Sequence, residues 1–188
     1  MPSYTVATEK KVYQRKFQDL CDQFIKKTNG SQFLKKHTEI VDNLLIKLWI
    51  DSNVSKKNTL IAVGGYGRNE LFPYSDVDIL VLNSKKSIEN DENISQFITK
   101  CWDIGLKIGH SVRNLAEVKE EFNADISTAT NLLEARLIYG SSELYLKFNS
   151  TINKIINIKK FFKEKITEQT IRHSKFRDSA YQLEPNIK

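Results

Sequence analysis

Residues 76–82 read Asp-Val-Asp-Ile-Leu-Val-Leu, two carboxylates two positions apart at the head of an apolar run. The run from Val77 to Leu82 reads as a buried strand, closed by Asn83-Ser84. Residues i and i+2 of a strand point to one face. Asp76 and Asp78 therefore share a face, while Val77, Ile79 and Val81 anchor the other in a core. Two carboxylates held together near a strand end repel each other and are costly to desolvate. A divalent cation relieves that cost. Mg²⁺ suits the pair, because it takes hard oxygen ligands and is commonly shared between carboxylates and substrate phosphates.

A second strand-like run, Leu60-Ile61-Ala62-Val63, lies just upstream and ends in Gly64-Gly65. Gly64, Gly65 and Gly67 permit positive φ and close backbone approach. Amides from such a turn, near a helix start, form an anion site. Ser75, immediately before the first carboxylate, adds a hydroxyl donor for a phosphate oxygen. Phosphate donors at one strand end and a metal-binding pair on the next strand suit nucleotidyl transfer. Other phosphate motifs fail: Glu70 stands where GxGxxG needs its last glycine, and no GK[ST] is present.

The remaining pattern is mostly helical. Apolar residues at 3–4 residue spacing predict helices over 6–28 and from a Ser31 cap to about Ile50. A polar loop over 51–58 precedes the strands. Residues 84–92 read as a loop, 93–108 as a helix and 109–113 as a third strand. After Asn114 the pattern reads as all-helical. It gives a short helix over 115–122, then one over 127–139 capped by Asp125 or Ser127 and stopped by Gly140, then helices over 142–157 and 159–177. The expected fold is α+β: a small mixed sheet with helices before it and a helical extension after it. The expected divisions are N-terminal helices over 1–58, a core over 59–114 and the extension over 115–188.

Of 188 residues, 40% are apolar and 28% charged, an ordinary globular balance that argues against disorder and rods. No run approaches the ~20 apolar residues of a membrane span. The first residues lack the apolar core of a signal peptide. Cys21 and Cys101 show no metal spacing and read as two reduced thiols. These features predict a cytoplasmic protein with no membrane partner. The net charge of +6 raises the question of nucleic acid. Yet residues 61–150 carry 13 acidic against 9 basic side chains, and both flanks are basic. With no RNP motif, zinc finger or aromatic-basic interleaving, nucleic acid is not the expected partner.

The segment Gly64-Gly65-Tyr66-Gly67-Arg68-Asn69-Glu70-Leu71-Phe72-Pro73-Tyr74-Ser75-Asp76-Val77-Asp78 resembles the signature of the DNA polymerase β-like nucleotidyltransferases. It is more closely similar to the N-terminal domain of the bacterial PII uridylyltransferase/uridylyl-removing enzymes. The likeness continues in Trp102-Asp103, in Gly109 to Arg113, in Thr130 to Arg136 and in Tyr181 to Lys188. The resemblance implies a polymerase β-like core that transfers UMP from UTP to a tyrosine hydroxyl of the PII signalling protein, releasing pyrophosphate. It implies that Asp76 and Asp78 hold Mg²⁺ and that Gly64, Gly65 and Ser75 hold the UTP phosphates. Arg68 reads either as a phosphate contact or as a partner of Glu70 that braces the turn.

The chain departs from the broader superfamily in one respect. Many members carry a third acid on a later strand, whereas the equivalent strand here reads His110-Ser111-Val112-Arg113. Asp103, Asp125 and Glu134 are the nearby acids. Asp125 also reads as a helix cap, and Glu134 as a partner of Arg136 or Arg113. His110 reads as a structural histidine, and Arg113 as a phosphate contact or half of an ion pair. None of His37, His110 and His173 is followed by Asp, so no HD hydrolase pair is present. The chain ends inside a matched block, and the expectation is a fragment that keeps the transferase site without the UMP-removing and glutamine-sensing ACT domains. Two alternatives stay open. One is another nucleotidyltransferase, such as an adenylyltransferase. The other is an inactive nucleotide-binding or docking module.

Overall fold

The computed structural model describes residues 6–84 and 91–175. Two long helices come first: α1 (Val6–Lys26) and α2 (Gly30–Asp51). Asn29, not Ser31, caps α2, its side chain accepting from the Gln32 amide at 3.0 Å. Asn caps well because its short side chain reaches the unpaired amides of the first turn. The strand β1 (Thr59–Ala62) follows, then one helical turn, α3 (Gly64–Gly67), and β2 (Val77–Leu82). Next come α4 (Glu92–Ile104), β3 (Ile108–Arg113), α5 (Leu115–Ala124) and α6 (Ile126–Leu133). The chain continues through β4 (Arg136–Gly140), α7 (Ser142–Ile155) and α8 (Ile158–Lys175).

Three expectations are corrected. The helix expected over 93–108 stops at Ile104, because Gly105 adopts φ +94 and its amide closes the last turn on Cys101 and Trp102. This is the left-handed glycine stop of many helices. The segment after Asn114 is not all-helical. The helix expected over 127–139 ends at Leu133, and Arg136–Gly140 turns back as a fourth strand. Pairing explains the change: β1 is hydrogen-bonded to β2 on one side, and β4 occupies its other side. Without β4, that row of buried β1 amides and carbonyls would lack partners. The loop expected over 84–92 falls mostly outside the described residues, as does the Tyr181 to Lys188 block.

The sheet has the order β3-β2-β1-β4. β1 is antiparallel to β2 and β4, and β2 is parallel to β3, so the sheet is mixed. Alternation along the central strands feeds two cores. Leu60, Ala62, Val77, Ile79 and Val81 meet α2 and α4 on one face. Ile61, Val63, Leu80 and Leu82 meet α5, α6 and α7 on the other. Trp49 and Phe97 pack edge to face at 5.3 Å in the first core. Both cysteines are free thiols; burial pushes the Cys101 thiol up to about 12. Among the described residues no helix is long and apolar enough to cross a membrane.

Candidate active site

Asp78 lies in β2, its backbone bonded toward β1 and its position in register with β3. The Val63 amide donates to the Asp78 carbonyl at 3.0 Å, and Asp78 stands opposite Gly109 in the parallel ladder. Alternation puts its side chain on the Leu80 face, beneath α5 and α6. The carboxylate is half-buried there. It leans across Gly109: a Cβ on Gly109 would stand 2.3 Å from Asp78 Oδ1. Only glycine leaves room for that oxygen. Asp76 precedes the strand and is exposed, and Ser75 is half-buried in the turn before it.

The glycine turn meets Asp78 from the other side. Gly64 adopts φ +58, and the space beside its Cα is bounded by Asn131 Oδ1 and Asp78 Oδ2. Hydrogen bonds from the Gly67 amide to the Val63 carbonyl, at 3.0 Å, and from Arg68 to Gly64, at 3.1 Å, wind α3. The amides of Gly64 and Gly65 stand ahead of these bonds, at the head of the turn, where no i−4 carbonyl serves them. The resulting cleft, about 280 Å³, is lined by Asp78, Gly109, Ser111, Arg113, Thr128 and Asn131 among others. The structure thus brings Asp78, Gly64 and Gly109 together.

Arg68 is committed to the turn's surroundings. Its Nε donates to Glu70 at 2.9 Å, and its guanidinium pairs with Glu134 at 2.6 Å. These two partners hold its pKa above the usual guanidinium value. Glu134 therefore pairs with Arg68, not with Arg136 or Arg113 as expected. Arg113 pairs with Glu121 at 2.6 Å. Asp125 caps α6 through the Thr128 amide, which lowers its pKa. His110 rests edge to face on Trp102 at 5.5 Å. Among the described residues, no three His, Cys, Asp or Glu side chains gather to hold a metal.

Two groups escaped the sequence reading. Asn131 was visible only as part of the Thr130 to Arg136 block, and nothing in the sequence set it beside Gly64. Arg136, on β4, makes a bidentate pair with Asp42 of α2 at 2.7 and 3.1 Å. Asp42 also accepts from the buried Tyr66 hydroxyl, and the Arg136 guanidinium lies 5.4 Å over the Tyr66 ring. Burial, with Asp42 adding to it, pushes the Tyr66 phenol well above its usual value. This triad fastens the glycine turn to α2 and β4. Arg136→Met is expected to lower stability by about 2 kcal/mol, because it strands a half-buried carboxylate. A shifted urea midpoint with an unchanged slope is the measurement.

A sheet of this topology, with a carboxylate strand beside a glycine turn, defines a nucleotidyltransferase core. Residues 47–187 match the family model described as "Nucleotidyltransferase domain", and the chain belongs to that family. It is 42% identical over 167 residues to the bifunctional uridylyltransferase/uridylyl-removing enzyme of Nitrosospira multiformis, covering 85% of this chain and 19% of the relative. The enzyme of that name from Hydrogenovibrio crunogenus is 44% identical over 178 residues, covering 88% and 20%. That from Thiobacillus denitrificans is 41% identical over 170 residues, covering 90% and 20%. The chain spans about one fifth of the length of these relatives.

Proposed function

We propose that this domain transfers UMP from UTP to a tyrosine hydroxyl of the PII signalling protein in the cytoplasm, and that nucleic acid is not its partner. The observation that carries the reading is the Asp78 carboxylate, held between the glycine turn and Gly109 at the rim of an open cleft. Relatives named uridylyltransferases, over 40% identical along most of this chain, support uridine as the base. Asp76 and Asp78 would hold Mg²⁺. They offer only carboxylate oxygens, and His110 sits on the opposite face by alternation. Two protein ligands leave the remaining positions to triphosphate and water, the sharing that Mg²⁺ commonly adopts. When bound, the ion neutralises charge on the triphosphate and the departing pyrophosphate.

The amides of Gly64 and Gly65, with the Ser75 hydroxyl, would hold the phosphates. In this geometry Arg68 keeps the turn in place through Glu70 and Glu134. The tyrosine oxygen bonds to the α-phosphorus as the bridging oxygen–phosphorus bond breaks. Pyrophosphate leaves with the electron pair, and the phenolic proton passes to water. The test is mass spectrometry of PII incubated with this chain, UTP and Mg²⁺. One UMP adduct on a tyrosine is the expected result. An adduct formed with ATP alone would replace uridylyl by adenylyl transfer.

A further inference from the structure

β3 is the edge of the sheet nearest Asp78, and among the described residues no strand lies on its outer side. The Val77 amide donates to Lys107 O at 2.7 Å, and the Asn83 amide donates to Arg113 O at 2.7 Å. In a parallel ladder the bonding residues alternate. Lys107, Gly109, Ser111 and Arg113 therefore turn their backbone groups toward β2, and Ile108, His110 and Val112 turn theirs outward. The Arg113 guanidinium takes up the Val112 carbonyl at 3.0 Å. Among the described residues, no strand pairs with the outward groups of Ile108 and His110. Unpaired edges are templates for strand addition.

We propose that this edge docks the acceptor: an extended segment carrying the target tyrosine adds as a strand beside β3. The proposal rests on the functional reading above, and it commits to this occupant for three reasons. An added strand lies roughly 10 Å from β2, and a tyrosine side chain leaning inward covers part of that gap toward a triphosphate held at Asp78. The path is clear, because Gly109 has no side chain and Asp78 Oδ1 already leans over it. Side chains on the other face of the added strand meet Trp102, which is 52% exposed. The far edge, β4, lies two strands from β2 and does not offer this reach.

His110→Pro is the decisive variant. It deletes an outward amide and puts a ring on the open edge, but leaves the bonds from Gly109 and Ser111 to β2 intact. Proline is tolerated at such edge positions. His110→Ala keeps the amide and serves as the control. With PII as acceptor, His110→Pro is expected to raise KM for PII about tenfold or more while Mg²⁺-dependent UTP binding stays at the unsubstituted level. His110→Ala stays near the unsubstituted KM. In the unsubstituted chain, hydrogen exchange of the Ile108 and His110 amides is expected to slow when PII is added. A normal KM for His110→Pro, or unchanged exchange, overturns the docking alone. If His110→Pro does not fold, the exchange result decides. Failure of the unsubstituted chain to label PII overturns the functional reading, and the docking with it.

Discussion

Asp78→Asn is expected to cut UMP transfer by roughly 10³-fold, the rate equivalent of losing several kcal/mol of charge stabilisation at the reacting phosphate. The substitution keeps size, removes the charge and turns one acceptor oxygen into an NH₂ donor. The backbone bond at residue 78, from the Val63 amide to the Asp78 carbonyl, does not depend on the side-chain charge. The signature is a split. Mg²⁺-dependent UTP binding, read by calorimetry, should weaken sharply, while any binding in EDTA stays the same. Asp76→Asn should show the same split. Its carboxylate is exposed and precedes the strand. If Mg²⁺-dependent UTP binding survives the double substitution, the metal assignment is wrong.

The strand that carries Asp78 was legible because a buried strand in a small sheet has nowhere to hide its pattern. Five apolar residues interrupted by one carboxylate fit no other element, and β2 spans the residues the pattern predicts. β4 was not legible. Leu132, Leu133, Leu137 and Ile138 continue a helical spacing, and only the need to pair the second side of β1 turns Arg136–Gly140 into a strand. Local pattern does not carry that information, since β1 and β4 are brought together by the whole fold. The same holds for the support of the site. Asp42 and Arg136 lie 94 positions apart and were unconnected in the sequence, yet they clamp Tyr66 from two sides. Glu134 finds Arg68, 66 residues earlier, by the same route. Sequence reading found the groups proposed to touch substrate, which sit in one short segment. It missed those that hold the segment still.

The three glycines of the turn show where pattern and physics part, and they make the second strong prediction. The sequence treats Gly64, Gly65 and Gly67 alike, as residues of a phosphate turn. The structure gives Gly67 a different task. A Cβ there would stand 1.9 Å from the Glu134 carbonyl oxygen and 3.1 Å from that of Ala62. Both obstacles are backbone, so neither can swing aside. Gly67→Ala must push α3 away from the end of α6, at a cost of roughly 3 kcal/mol. For a chain of this size that lowers the melting temperature by about 6–12 °C. Gly65→Ala is the contrast: its Cβ would meet nothing nearer than 3.7 Å, and its φ is not left-handed. Alanine there should leave melting unchanged or raise it slightly, by restricting the unfolded chain. Opposite signs from two glycines in one motif would show that Gly67 sets the spacing between turn and helix. That spacing keeps Asn131 beside Gly64 and lets Glu134 reach Arg68. Equal and small effects would mean that α6 yields easily, and that the cleft wall is softer than this packing implies.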